Sequence, residues 1–119
     1  MDLFCDIING EKESICLFED DTIKCIMDAF PNSPGHTLIL PKKHFTDIME
    51  IDDATLVYIF KRSRIIIDKM MSTLPNITGV RVLVNYGEPQ AIKHFHLHLI
   101  PTYSKNLDKT QKEICEMLK

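Results

Sequence analysis

Apolar and polar positions alternate along this chain with two different periods, and the change of period divides it into elements. Residues 3–8 read as a short helix that ends at Asn9-Gly10, a pair that readily stops one. Two short strands are expected at 15–18 and 22–28, separated by the turn Glu19-Asp20-Asp21. Pro31-Asn32-Ser33-Pro34-Gly35 marks a loop, because each proline fixes its own φ and restrains the residue before it. His36 to Leu40 then reads as a third strand, stopped by Pro41.

The clearest helix begins at Asp52-Asp53, where carboxylates can cap free amides and favour the positive end of the helix dipole. Leu56, Ile59, Phe60, Ile66, Ile67, Met70 and Leu74 recur at helical spacing, and Pro75 closes the run. This stripe reads as core packing. Val80, Val82 and Val84 alternate with other residues as a fourth strand, and 94–100 forms a fifth. An amphipathic helix from Asp108 onward places Ile114 and Leu118 on one side. Strands, one long helix and further strands predict an α+β fold. Its antiparallel sheet has about five strands, with one long helix and short terminal helices.

With 119 residues and no linker, repeat or low-complexity tract, residues 1–119 are expected to form a single domain. A core of this size is adequate, and self-association would bury more surface. The net charge is −3 and the lysines are scattered, which argues against binding a polynucleotide backbone. A small nucleotide needs only a few placed donors. No apolar run is long enough to span a bilayer, and the first residues do not resemble a signal peptide, so no membrane contact is expected. Cys5, Cys16, Cys25 and Cys115 form no CxxC pair and read as reduced thiols of a cytoplasmic protein.

The candidate chemistry lies in His94-Phe95-His96-Leu97-His98. On a strand the three histidines share one face, while Phe95, Leu97 and Leu99 share the other. A run of solvated or core histidines would carry no chemistry. Metal ligation is a second reading, since neutral imidazoles are good zinc ligands. On a flat strand the three span about 13 Å, while zinc holds each nitrogen at about 2.1 Å. Nucleophilic catalysis is a third. Imidazole is largely unprotonated at neutral pH and can attack phosphorus, while neighbouring histidines bind phosphate oxygens or supply a proton.

The triad with its continuation, Leu99-Ile100-Pro101, resembles the signature of the histidine-triad (HIT) family. Four further segments resemble family landmarks in order: Phe4 to Glu11, Phe18 to Asp21, Pro34 to His44, and Val84 to Gly87. The resemblance is to the branch of bacterial-type purine nucleoside phosphoramidases and related hydrolases. It implies the HIT α+β fold in a homodimer whose two sheets join. It also implies binding of a purine nucleotide such as AMP or GMP. The implied activity is hydrolysis of nucleoside phosphoramidates or related nucleoside 5′-phosphate derivatives through a covalent nucleotidyl intermediate on His96. Alternatives are a dinucleoside polyphosphate hydrolase, or a nucleotide- or partner-binding module with weak catalysis.

By the same resemblance, His94 and His98 would orient the nucleophile and phosphate, and His36 would be the distal histidine. Asp28 would bind the ribose hydroxyls, Asn85 and Gln90 would belong to the phosphate loop, and Ile7 would wall the base pocket. The sequence departs from the family in that loop. Asn85 to Gln90 is about two residues short, Glu88 adds negative charge, and Ala91 replaces a hydroxyl residue, leaving its backbone amide to serve. Some members hold a structural zinc through two cysteines and two histidines. Here Cys5, His44 and His94 match, but Asp2 stands for the first cysteine at a position expected to anchor poorly. No metal ligand is therefore assigned and no cofactor is expected.

Overall fold

The computed structural model describes residues 2–119, and its elements follow the expected order. Helix α1 spans Leu3–Ile8, and strands β1, β2 and β3 span Ile15–Glu19, Ile23–Met27 and Thr37–Pro41. Helix α2 spans Asp53–Thr73, followed by β4 (Ile77–Leu83), β5 (Leu97–Tyr103) and α3 (Gln111–Leu118). The five strands form one antiparallel sheet in the order β1-β2-β3-β5-β4.

The two sheet faces are covered differently. Leu97 and Leu99 of β5, Ile39 of β3 and Cys25 of β2 join the main core with Ile59, Ile66 and Met70 of α2 and Ile114 of α3. This is the α2 stripe read from periodicity, except that Phe60 is left partly exposed, at 39%. The opposite face carries a smaller cluster, in which Phe4 and Ile7 of α1 pack on Ile26, Leu38 and Leu40. Such alternation is what a sheet covered on both faces requires. Among the described residues, no helix is long and apolar enough to cross a membrane.

Several boundaries shift by a few residues, and three of the shifts have a visible local reason. β5 begins at Leu97, so His94 and His96 precede the strand instead of lying on it. There the Phe95 amide donates 2.7 Å to the carbonyl of Phe45, outside the sheet ladder. α3 begins after Thr110, whose side chain and that of Glu113 form a reciprocal capping box. β4 begins at Ile77, earlier than the valines suggest, after a turn at Asn76 with φ of 61°.

Candidate active site

A cavity of about 510 Å³ opens on the face that α1 covers. Phe4 and Ile7 of α1, Ile26 of β2 and Leu38 of β3 give it an apolar wall, and Asp28, Ala91, His96 and His98 line its polar side. A mostly apolar hollow with a few converging polar groups is the usual form of a small-ligand site. Of the residues singled out in the sequence, Ile7, Asp28, Ala91, His96 and His98 therefore meet here. His36 and His94 stand behind it.

Hydrogen bonds determine which ring nitrogen carries each proton. Nδ1 of His96 lies 2.8 Å from the carbonyl of His94, so it carries hydrogen and Nε2 keeps its lone pair. Nδ1 of His36 accepts from the Asn32 amide at 3.1 Å, which places hydrogen on its Nε2. That nitrogen donates to Nδ1 of His98 at 2.9 Å and lies 3.5 Å from an Asp28 carboxylate oxygen. Nε2 of His98 must then carry its proton, and it is buried with no hydrogen-bond partner among the described residues. Rings of His96 and His98 sit 4.8 Å apart. A free lone pair and a free N–H donor thus stand side by side.

Burial favours neutral imidazoles throughout. It holds His36, His94 and His96 below the ordinary histidine value. For His98, burial together with neighbouring His96 and His36 lowers the value to about 4. A neutral His96 is the nucleophilic form.

The loop from Asp28 to His36 is fastened at several points. The Asp28 amide donates to the His36 carbonyl at 2.9 Å, closing the loop. From α3, the Gln111 side chain accepts from the Gly35 amide and donates to the carbonyls of Asp28 and His36. Nothing in the sequence pattern marks Gln111, because it acts across 75 or more residues through main-chain groups. Phe30, also not singled out, lines the cavity mouth and is 88% exposed. Its signal is an aromatic two residues beyond Asp28 in a solvent-facing loop.

Asn85 and Gln90 do not line the cavity. The Gln90 side chain is buried and donates to the carbonyls of Thr46 and Ile92, at 2.7 and 3.0 Å, which ties down the segment leading into the triad. Glu88 points to solvent.

His94 turns away from the other two triad histidines. Its Nε2 donates to the Pro41 carbonyl at 2.9 Å, which leaves Nδ1 bare. That nitrogen lies 3.4 Å from the Cys5 sulfur, 3.2 Å from Nδ1 of His44 and 3.5 Å from an Asp2 oxygen. Cys5 to His44, Cys5 to Asp2 and His44 to Asp2 measure 3.4, 3.4 and 3.1 Å. Ligands about 2.0–2.3 Å from a tetrahedral zinc stand about 3.3–3.8 Å from one another, so this donor set fits such an ion. Asp2 is also a firmer anchor than its position suggests: it caps α1, accepting the Cys5 amide at 2.8 Å. The expectation of a poorly held second residue is corrected by that cap.

The sequence and fold place these features in a known group. Residues 9–105 match the HIT domain family. A zinc-bound histidine triad family protein from Mycobacterium smegmatis superposes with a TM-score of 0.87 at 27% identity, covering 98% of this chain and 88% of that one. A hypothetical histidine triad nucleotide-binding protein from Sulfolobus tokodaii gives 0.82 at 36% identity, over 97% and 85%. The adenylylsulfatase HINT3 of Arabidopsis thaliana is 35% identical over 83% of this chain and 51% of its own length. With its histidines, sheet order and cavity in place, the chain belongs to the HIT family, the histidine-triad nucleotide-binding hydrolases.

Proposed function

We propose that the protein hydrolyses purine nucleoside phosphoramidates or related nucleoside 5′-phosphate derivatives, with His96 as nucleophile. One observation carries the reading: the Nε2 lone pair of His96 and the unpartnered Nε2–H of His98 stand at the same cavity wall. The purine would lie between Ile7, Ile26 and Leu38, with the ribose hydroxyls on Asp28. His96 attacks phosphorus, and the phosphorus–nitrogen bond breaks with its electron pair leaving on the nitrogen, which takes a proton from solvent. His98 donates to a phosphoryl oxygen as charge develops. Water then displaces the histidine and releases the nucleoside monophosphate. The test is to quench a reaction with labelled adenosine phosphoramidate and look for label on His96. Turnover without a labelled histidine would remove the covalent mechanism.

A binding module with little turnover is the second reading, favoured by Ala91, which offers the cavity no hydroxyl. AMP binding with no hydrolysis of any nucleotide derivative would support it.

Two structural components complete the proposal. The Asp2, Cys5, His44 and His94 cluster would hold zinc with all four positions filled, a structural arrangement that joins α1 to the sheet. β4 is an edge strand with Val82 42% exposed, and pairing of two such edges would join two sheets in a homodimer. Four free cysteines fit a reducing compartment such as the cytoplasm.

A further inference from the structure

A second cavity, of about 440 Å³, opens where the loop at 32–34 meets the end of β5. Asn32, Thr102, Ser104, Arg81 and Lys105 surround it with polar groups, and no Asp or Glu lines it. Among the described residues, neither Arg81 nor Lys105 forms an ion pair. In a chain of net charge −3, this is a local reversal of sign.

Sheet register ties the hollow to the histidines. Leu83 pairs with His98 and Arg81 with Ile100, and paired residues share a face. Arg81 therefore stands on the face of His98, two residues or about 7 Å further along the sheet. The loop provides a second link, since Asn32 lines the hollow and its amide orders His36, which orders His98. The cationic hollow thus lies on the His98 face, beyond the apolar cavity along the sheet and linked to the His36–His98 pair through Asn32.

We propose that the cationic hollow is a leaving-group subsite, in which Arg81 and Lys105 select substrates whose leaving group is an oxyanion, a sulfate or a phosphate chain. The proposal rests on the reading of His96 as nucleophile. The His96 Nε2–phosphorus bond forms as the phosphorus–oxygen bond to the leaving group breaks. The departing oxygen keeps the electron pair and leaves as an anion, needing countercharge but no proton. Water then adds its oxygen to phosphorus, the phosphorus–nitrogen bond breaks with its electron pair returning to His96, and a proton passes to solvent. Ammonia, the leaving group of a phosphoramidate, needs a proton and gains nothing from two cations. The hollow supplies what an oxyanion needs.

The experiment compares kcat/KM for adenosine 5′-phosphosulfate, diadenosine tetraphosphate and adenosine 5′-phosphoramidate in wild type and an Arg81→Gln/Lys105→Gln variant. The efficiency on at least one oxyanion substrate, relative to the phosphoramidate, is expected to fall about tenfold or more. Loss on the phosphosulfate alone identifies a sulfate subsite, and loss on the tetraphosphate identifies a phosphate-chain subsite. Unchanged ratios for both overturn the proposal. If wild type turns over none of the three, the reading of His96 fails and the subsite is judged by calorimetry. Adenosine phosphosulfate should then bind wild type about tenfold tighter than AMP and lose that preference in the variant. Equal affinities in wild type would overturn the subsite.

Discussion

The main-chain carbonyl of His94 holds Nδ1 of His96 at 2.8 Å, while the ring of His94 points the other way, into a cluster with Cys5 and His44. One residue therefore serves two sites, fixing the nucleophile's tautomer through its backbone and closing a donor set through its side chain. His96→Asn removes the attacking lone pair and should lower turnover at least about 10³-fold with nucleotide affinity kept. His94→Asn keeps the carbonyl but loses the ring's anchorage, and should cost about tenfold in kcat with little change in KM. Steady-state kinetics and calorimetry on both variants separate the roles.

Protonation of His98 links folding to pH. Burial, His96 and His36 hold it at about 4, below the ordinary 6.5, although Asp28 opposes the shift. The unfolded chain binds this proton more readily, so its contribution is fully present above about pH 6.5 and is lost as pH falls towards 4. The loss is on the order of 3 kcal/mol. Urea titrations at pH 7 and pH 4.5 should show it, and His98→Asn should reduce the difference, leaving the part carried by His36, His94 and His96.

Gly35 sets the entry of the loop into β3. Its φ is +90°, and an added Cβ would stand 3.2 Å from Pro101 and 3.3 Å from the Tyr103 hydroxyl. Gly35→Ala should cost roughly 2–3 kcal/mol and lower Tm. The neighbouring His36–His98 contact should suffer with it, so kcat falls as well.

The metal cluster makes an analytical prediction. Protein prepared with zinc should carry one ion per chain by elemental analysis, and Cys5→Ser should lose most of it. Cobalt substitution should give a thiolate charge-transfer band of one sulfur, rising towards two in Asp2→Cys. Absence of stoichiometric metal in zinc-supplemented protein would exclude the site.

Phe30 offers a direct reading of the base. The chain has no tryptophan, so Phe30→Trp introduces a single indole at the cavity mouth. Stacking on a purine should quench its fluorescence on adding AMP, whereas ribose 5-phosphate should leave it unchanged. Equal responses would place the base elsewhere.

Much of this was legible before the fold was known, and the exceptions have physical causes. Alternation of Phe95, Leu97 and Leu99 correctly put those side chains in the core, and Pro75 follows the real end of α2. Pro41, by contrast, is the last paired residue of β3 rather than the stop beyond it. The same alternation disguised 94–96 as strand, because side-chain period does not report where main-chain hydrogen bonds go: the Phe95 amide finds Phe45. Reading all three histidines along one flat strand kept them apart from any ion. Strand geometry alone did not show that His94 joins residues 50 and 89 positions away, a grouping to which only the family resemblance pointed. Gln90 carries a polar side chain that packing spends on two carbonyls, and Arg81 takes its meaning only from register opposite Ile100.

Helix α1 is six residues long and has no intrinsic claim to stability at that length. Its residues divide their work, Phe4 and Ile7 roofing the cavity while Cys5, with the capping Asp2, faces His44 and His94. Lifting the roof therefore dismantles the cluster in the same motion, so this segment opens as one cooperative unit. Exchange of the α1 amides with solvent and exposure of the Cys5 thiol should therefore be two readings of a single local unfolding event.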